Sequence, residues 1–331
     1  MDQSPQLVRG AQVWLGADLE ARSDWIYELP ATALERLGKA VADAGAKGLD
    51  QDTFDFEAID IAELRAGLAP AKDALSQGYG LALVRGMDVS KFKVEELKLA
   101  LLVIGHHLGL VGPQEHRAKG IAEVMDVNPQ DGGRFYYHVG GPLPMHMDPV
   151  DIVGLLCVRK AKKGGESLIA SSMAIHNEML RTRPDLLDIL YRGYRHRRRE
   201  HRRQGGSALT DHYCPVFADI GGEVICNYLP APIQMAVEDG LMTLSGPERE
   251  AMDVLESIAG SKPYCMTMDI EPGDIQFLNN RVTLHGRTDY EDFGEPDQRR
   301  LLLRTWLTMP GWRKFPANVP HTDVELATEP A

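Results

Sequence analysis

The sequence predicts an α+β fold in which a β-barrel or jelly roll is surrounded by helices, many of them N-terminal. Through the first third of the chain, apolar residues recur at helical spacing. From about residue 135, short apolar runs alternate with Gly, Pro and Asp turns. No internal repeat or low-complexity linker divides the chain. We therefore expect one domain over residues 1–331, with a mainly helical part (1–130), a jelly-roll core (131–310) and a loose tail (311–331).

Two amphipathic helices and one strand are predicted in the N-terminal part. The helices are indicated by apolar residues three or four apart, at Leu34, Leu37, Val41 and Ala44, and at Val94, Leu97, Leu101, Ile104 and Leu108. Between them, "GYGLALVRGM" (78–87) is a short apolar run bounded by glycines, which is typical of a buried strand.

The later part of the chain predicts a series of strands interrupted by one helix. The candidate strands are 150–158, 167–171, 223–229, 264–270, 275–278 and 300–308. The helix begins after Ser245, because Glu248 stands three residues later in a capping box and Pro247 falls in the first turn. Its apolar face is formed by Met252, Leu255 and Ile258.

Composition excludes several classes of function. The chain has 36 Lys and Arg against 48 Asp and Glu, a net charge of −12, which argues against a nucleic-acid or anionic-membrane partner. The N-terminal sequence has no signal-peptide pattern, and no window reaches 18 consecutive apolar residues. The four cysteines form no CxxC pair, so we expect reduced thiols and a cytoplasmic protein.

A candidate metal site is indicated by "PMHMDPVDIVGLL" (144–156), where His146 and Asp148 stand two apart before an apolar run. Side chains two apart on a strand point to the same side, so the pair would face one site. His285, 137 residues after Asp148, is a third candidate ligand. Two histidines and one carboxylate form the facial triad of non-haem iron(II) oxygenases. By itself the HxD pair is a weak signal, and a core histidine beside a capping aspartate is the alternative.

A candidate anion site is indicated by "QRRLLLRTWLT" near the C-terminus. Strand alternation places Arg300, Arg304 and Trp306 on one face, with the two arginines roughly 13 Å apart at 3.3 Å per residue. Two guanidinium groups lining a barrel interior favour a dicarboxylate ligand, because arginine offers carboxylates a rigid fork of donors. The alternative is an exposed edge strand with both arginines facing solvent.

These motifs resemble the taurine dioxygenase and TfdA-like family of Fe(II)/2-oxoglutarate dioxygenases. The resemblance is carried by "HMDPVDIVGLLCVRKAKKGGESLIASS" and "NNRVTLHGRTDY…DQRRLLLRTWL", and more loosely by "WIYELP" and "GYGLALVRGM". It covers most of the chain and implies a double-stranded β-helix (jelly-roll) barrel. It also implies Fe(II) as cofactor, 2-oxoglutarate and O₂ as co-substrates, and a homo-oligomer, since members often form dimers or tetramers.

The resemblance also implies roles for individual residues. The implied iron ligands are His146, Asp148 and His285. Arg300 would bind the distal carboxylate of 2-oxoglutarate. Ser167, where the family often has Thr, would add a hydroxyl hydrogen bond to that carboxylate. Arg304 would lie deeper, near the metal-bound end of the co-substrate, and contact an anionic substrate.

The implied activity is oxidation of a small polar, anionic or zwitterionic, organic substrate with release of succinate and CO₂. Hydroxylation is the expected outcome, and desaturation and cyclisation remain open. Asp148 argues against halogenation, because family halogenases lack this carboxylate. Two alternatives remain: a zinc-dependent hydrolase using the same His/Asp/His site, for which no HExxH-like partner is found, and a non-catalytic jelly-roll binding protein.

Three further stretches are relevant to the site. In "RFYYHVGG" (134–141), Tyr136, Tyr137 and His138 either line the substrate pocket or pack within a strand. The arginine-rich run 192–203 is interpreted as a solvated connector, with an anion-attracting lid or a nucleic-acid contact as alternatives. Asn279 and Asn280 are expected to support the iron site through hydrogen bonds.

Overall fold

A computed structural model of the chain describes residues 5–114, 120–125, 141–198, 207–312 and 314–320. Among these residues, no helix is both long enough and apolar enough to cross a membrane.

Helices precede the barrel strands and also interrupt them. The described part of the chain contains α1 (Gly16–Glu20), α2 (Ala31–Ala46), α3 (Ala62–Gln77), α4 (Val94–Leu108), α5 (Ser172–Thr182), α6 (Pro184–Arg192), α7 (Pro230–Glu238) and α8 (Gly246–Ala259). Short 3₁₀ turns lie at Phe56–Ala58 and Val89–Lys91. The two predicted N-terminal helices are α2 and α4.

Short strands make up the rest of the regular structure. They are β1 (Ile26–Glu28), β2 (Leu81–Arg85), β3 (Leu110–Val111), β4 (Ala122–Val124), β5 (Leu143–His146), β6 (Ile152–Arg159), β7 (Lys163–Gly164), β8 (Ser167–Ser171), β9 (Phe217–Asp219), β10 (Val224–Cys226), β11 (Cys265–Met268), β12 (Ile275–Asn279), β13 (Thr283–Arg287), β14 (Tyr290–Glu291) and β15 (Leu301–Thr308). All six predicted strands are present. The prediction for 223–229 was too long, because Pro230 begins α7.

The larger sheet has the strand order β1-β2-β12-β6-β15-β3, and β4 also pairs with β15. Helices α3 and α4 pack on this sheet, where Leu64 and Leu101 share a buried apolar cluster with Phe277 and Leu303. The predicted strand in 78–87 is β2, which joins the sheet beside β12. The N-terminal part therefore contributes strands as well as helices to the barrel.

The smaller sheet has the order β11-β8-β13-β5. Helices α5 and α8 pack on it through an apolar cluster that includes Met173, Leu255 and Leu284. A further apolar cluster takes Leu278 and Trp306 from the larger sheet together with residues of β8 and β11 from the smaller one. The two sheets therefore enclose a shared interior between them.

Local sequence signals account for two of these elements. Helix α8 has the predicted capping box, since Ser245 Oγ accepts a hydrogen bond from the Glu248 backbone and the Glu248 carboxylate accepts one from the Ser245 N–H. Strand β15 is not a wet edge strand, because β6 pairs along its length on one side and β3 and β4 pair on the other. The edge-strand interpretation of its arginines is therefore wrong. All four cysteines are free thiols, as predicted.

Candidate metal centre

The register of the smaller sheet brings the two histidines together. His146 is the last residue of β5, and His285 lies in the middle of β13 directly opposite it in the antiparallel pairing. Their ring centroids are 4.4 Å apart. Asp148 lies just after β5 rather than on the strand itself. One ligand atom from each of the three residues lies within 4.8 Å of the other two, so three donors separated by up to 139 residues of sequence form one cluster.

Hydrogen bonds orient two of these side chains. His146 Nδ1 lies 2.8 Å from the Pro144 carbonyl oxygen. Because a carbonyl only accepts, Nδ1 carries the proton in this bond and Nε2 is left as the atom that can bind a cation. The backbone N–H of Asp148 donates to Asn280 Oδ1 at 3.1 Å, which is the supporting contact expected of Asn280. Asn279 instead bonds the backbone of Leu75 and Arg281.

The electrostatics of the cluster suit a divalent cation. Burial opposes the charge of Asp148, but the Arg304 guanidinium, His285 and His146 together hold the pKa of this carboxyl below its ordinary value. Burial and the neighbouring His146 lower the pKa of His285 to about 3. His285 is therefore neutral at pH 7 and keeps the lone pair a metal needs. Its Nδ1 is buried with no hydrogen-bond partner among the described residues. Two imidazoles and one carboxylate fit a metal with open coordination positions.

Arg300 is buried immediately before β15. Its side chain is only 6% exposed, and its backbone N–H donates to Asp292 Oδ1 at 2.8 Å. Burial and the neighbouring Arg287 guanidinium lower the pKa of Arg300 to about 10. Nη1 of Arg300 is buried without a hydrogen-bond partner in the described part of the chain. A buried cation with an unpartnered donor is suited to an anionic ligand.

Arg287, which was not predicted as a site residue, lies beside Arg300. The guanidinium carbons of Arg287 and Arg300 lie 4.6 and 5.4 Å from the ring centroid of Tyr290. Ser167 stands opposite Arg287 in the β8–β13 register and donates its hydroxyl to Gln276 Oε1 at 3.2 Å. The only sequence signal for Arg287 is its position two residues after His285, which places both on the same side of β13.

Arg304 lies beside the metal cluster. Nη1 is 3.8 Å from Asp148 Oδ2, and the guanidinium carbon lies 4.7 Å from the ring centroid of Trp306. Nε and Nη2 donate to Gln114 Oε1 at 3.3 and 3.2 Å. Gln114 is 1% exposed and was not predicted, because nothing in its local sequence links it to a strand 190 residues later.

Several predicted residues cannot be placed. Tyr136, Tyr137 and His138 lie outside the described residues, as do positions 199–203 of the arginine-rich run. Within the described part of that run, three arginines pair with carboxylates at the surface: Arg192 with Glu248, Arg197 with Asp239, and Arg198 with Asp211. These pairs are consistent with a solvated connector.

Comparison with known proteins identifies relatives that span nearly the whole chain. Residues 42–306 match the model of a family described as "Taurine catabolism dioxygenase TauD, TfdA family". The FR-33289 synthase of Streptomyces rubellomurinus is 30% identical over 324 residues, which cover 94% of this chain and 93% of that protein. The taurine hydroxylase-like protein SAT17 of Stachybotrys chartarum is 24% identical, with coverage of 94% and 84%.

Solved structures show the same architecture. Asparagine oxygenase in complex with Fe(II), 2S,3S-3-hydroxyasparagine and succinate superposes with a TM-score of 0.60 at 18% identity, covering 90% of this chain and 99% of that one. The non-haem iron oxygenase OrfP in complex with Fe and α-ketoglutaric acid gives a TM-score of 0.61 at 15% identity, with coverage of 86% and 93%. These likenesses confirm the predicted jelly-roll fold.

Proposed function

Because this chain belongs to the TauD/TfdA family of taurine catabolism dioxygenases, we propose that it is an Fe(II)- and 2-oxoglutarate-dependent dioxygenase that hydroxylates a small polar substrate. The observation that carries this proposal is the cluster of His146, Asp148 and His285, whose ligand atoms lie within 4.8 Å of one another. Enzymes of this family use Fe(II), 2-oxoglutarate and O₂.

His146, Asp148 and His285 would hold the iron. Bound Fe(II), together with 2-oxoglutarate and O₂, supplies an oxidant that replaces a substrate C–H bond by C–OH, while the keto acid becomes succinate and CO₂. The chain contributes two imidazoles, of which that of His285 is neutral, a carboxylate whose depressed pKa keeps it ionised, and a buried setting. Trp306 Nε1 donates to Asp148 Oδ2 at 2.8 Å and so fixes the direction in which this carboxylate points.

Arg300 would bind the distal carboxylate of 2-oxoglutarate, and Ser167 would add a hydroxyl donor. The buried, unpartnered Nη1 of Arg300 supports this assignment. The positive charge of Arg287 beside it strengthens the attraction for a dicarboxylate. A zinc hydrolase or a non-catalytic barrel would leave these buried guanidinium groups without a role, and neither alternative is favoured.

Arg304 would contact the substrate. It lies 3.8 Å from Asp148, so a substrate anion held by Arg304 would place neighbouring carbon atoms close to the metal. This arrangement supports an anionic or zwitterionic substrate. Tyr136, Tyr137 and His138 remain candidates for the substrate pocket.

The proposal extends to the working form of the protein. We propose a single catalytic domain over 1–331, with the helical part at 1–130, the jelly-roll core at 131–310 and the tail at 311–331. We further propose a cytoplasmic dimer or tetramer that binds no nucleic acid. Light scattering after size-exclusion chromatography tests the oligomer.

The proposed function is tested by adding Fe(II) to the apo protein without oxygen and titrating 2-oxoglutarate while the visible spectrum is recorded. Chelation of the iron by the keto acid gives a weak charge-transfer band. Arg300→Ala should weaken the titration about tenfold or more, because charged hydrogen bonds to the carboxylate are lost. Arg299→Ala is the matched control, since Arg299 is half-buried next to it and its side chain bonds only Gly294 among the described residues. Absence of the band in folded, iron-loaded protein would remove the proposal.

The substrate assignment is tested on the same complex. Small organic acids and amino acids are screened for a shift of the charge-transfer band, and the best binder is then titrated against Arg304→Ala. We expect the shift to be lost while the 2-oxoglutarate band remains. An unchanged substrate affinity would show that Arg304 does not recognise the substrate.

A further inference from the structure

We infer that Asp151 and Arg281 form a positioning pair that fixes the segment carrying His146 and Asp148 against the turn that leads into β13, the strand carrying His285. The inference rests on the proposed function, because it concerns the geometry of the same metal centre. Asp151 follows Asp148 by three residues, and Arg281 precedes His285 by four. The pair therefore joins two segments that are far apart in the sequence. In each segment the paired residue stands within four residues of a proposed metal ligand.

The pair is a buried ion pair in which two guanidinium nitrogens share one carboxylate oxygen. Asp151 is 1% exposed and Arg281 is 4% exposed. Nε and Nη2 of Arg281 both donate to Asp151 Oδ1, at 2.9 and 2.7 Å. The other carboxylate oxygen, Oδ2, accepts from the backbone N–H of Met309 at 2.8 Å. Such a pair holds its two side chains together, because separating them would leave each charge buried without a partner.

Backbone contacts next to the ion pair tie the same two segments together. The N–H of Asn280 donates to the carbonyl of Asp151 at 2.9 Å, and Oδ1 of Asn280 accepts from the N–H of Asp148 at 3.1 Å. Asn280 is the residue immediately before Arg281. Three neighbouring links therefore connect residues 148–151 with residues 280–281, and one of them ends on a proposed metal ligand.

The C-terminal end of the described chain covers the pair. The guanidinium carbon of Arg281 lies 5.2 Å from the ring centroid of Trp312 and 4.3 Å from that of Phe315. Met309 and Trp306 both belong to the end of β15 or the residues just after it, and they donate to Asp151 and Asp148 respectively. The end of β15 therefore bonds the carboxylate of the ligand and the carboxylate of the positioning pair.

This arrangement answers a geometric need of the site. The antiparallel register places His285 opposite His146, but Asp148 lies beyond the end of β5, where none of the described strands pairs with it. The links through Asn280, Arg281 and Trp306 supply that restraint. Asp151 and Arg281 therefore act through Asp148 and are positioning residues rather than catalytic residues.

The test compares metal binding with stability in matched variants. Asp151→Asn removes the charge and keeps an acceptor for the Met309 N–H. Asp274→Asn is the control, because Asp274 is also buried and also pairs with an arginine, Arg85, but contacts neither ligand segment. Fe(II) affinity is measured without oxygen by calorimetry, the visible spectrum of the Co(II)-substituted protein reports ligand geometry, and thermal unfolding of the apo protein reports stability.

We expect both variants to unfold at lower temperature, and only Asp151→Asn to bind Fe(II) at least about tenfold more weakly with an altered Co(II) spectrum. If Asp151→Asn does not fold, the double variant Asp151→Asn/Arg281→Met is used instead, because it removes both charges and leaves no buried charge without a partner. The same loss of Fe(II) affinity is expected. Wild-type affinity and spectrum in a folded variant would overturn the inference. Failure of the wild-type protein itself to bind Fe(II) would instead overturn the proposed function.

Discussion

The indole of Trp306 donates a hydrogen bond from Nε1 to Oδ2 of Asp148 at 2.8 Å. Trp306 lies on β15, in the larger sheet, whereas Asp148 follows β5, in the smaller sheet. This single bond therefore connects the two sheets at the metal cluster. Because the same indole ring lies against the Arg304 guanidinium, β15 sets both the direction of the carboxylate and the position of the cation beside it.

Trp306→Phe keeps the apolar ring and removes the donor. We expect Fe(II) to bind about tenfold more weakly, because the charged carboxylate loses an orienting hydrogen bond. Calorimetry under anaerobic conditions measures the affinity, and thermal unfolding shows whether the fold is kept. Equal Fe(II) affinity in folded Trp306→Phe and wild-type protein would mean that the indole hydrogen bond does not orient Asp148 for the metal.

Gly165→Ala should weaken 2-oxoglutarate binding. Gly165 has a φ of +82°, and an added Cβ would lie 3.2 Å from Nε of Arg300. Gly222→Ala is the matched control, because Gly222 has a φ of +89° and nothing within 4 Å of an added Cβ. Both variants should lose about 1 kcal/mol of stability or more from backbone strain. Only Gly165→Ala should require more 2-oxoglutarate to reach half of the charge-transfer band, and the same titration midpoint in both variants would contradict this.

Arg287→Met should also weaken 2-oxoglutarate binding, by about threefold to tenfold. Its guanidinium raises the positive potential around Arg300, and a dicarboxylate loses part of that attraction when the charge is removed. Lys162→Met serves as control, since Lys162 is an exposed cation paired with Glu291. The measurement is the 2-oxoglutarate titration in the presence of Fe(II). A titration that does not change would show that Arg300 acts without its neighbour.

Acid should destabilise the protein through His196, which is not a member of the metal cluster. Burial and the nearby His212 lower the pKa of His196 to about 4, against about 6.5 in the unfolded chain. The unfolded state therefore binds more protons between pH 6.5 and 4, and the free energy of unfolding falls as the pH falls through this window.

The His196 contribution is measured by urea unfolding between pH 7 and 5. From pH 6.5 to 5 we expect the free energy of unfolding of the wild-type protein to fall by about 1–2 kcal/mol through this residue. His196→Gln should not show this decrease. The exposed His212 provides the control substitution, His212→Gln, which should still show most of the decrease in the free energy of unfolding. Parallel pH profiles for all three proteins would assign the acid sensitivity to other groups.

Much of the fold could be predicted because its signals are local. The glycine-bounded run at 78–87 gave β2, and the capping box at Ser245 gave the start of α8. The alternation in β15 placed Leu303 toward the N-terminal helices and Arg304 toward the site. Each of these inferences depends on side chains within a few residues of one another, where backbone geometry fixes which of them share a face.

The site was predicted only in part. The spacing of His146 and Asp148 and the chemistry of His285 indicated the metal cluster, but Gln114, Arg287 and the Asp151–Arg281 pair were missed as members of the site. Gln114 meets Arg304 across 190 residues and Asp151 meets Arg281 across 130. A polar residue carries no local signal of a partner at such a distance.

The sequence by itself determined the types of element, the residues on each strand face and the kinds of ligand available for a metal and an anion. Only the tertiary structure decided which of these side chains meet. The β5–β13 register sets His285 opposite His146, and a slip of one residue would turn every side chain of β13 to the other face. Burial of Met145 in β5 and Leu284 in β13 against α8 and α5 favours that register. These are long-range interactions, and they exist only once the chain has folded.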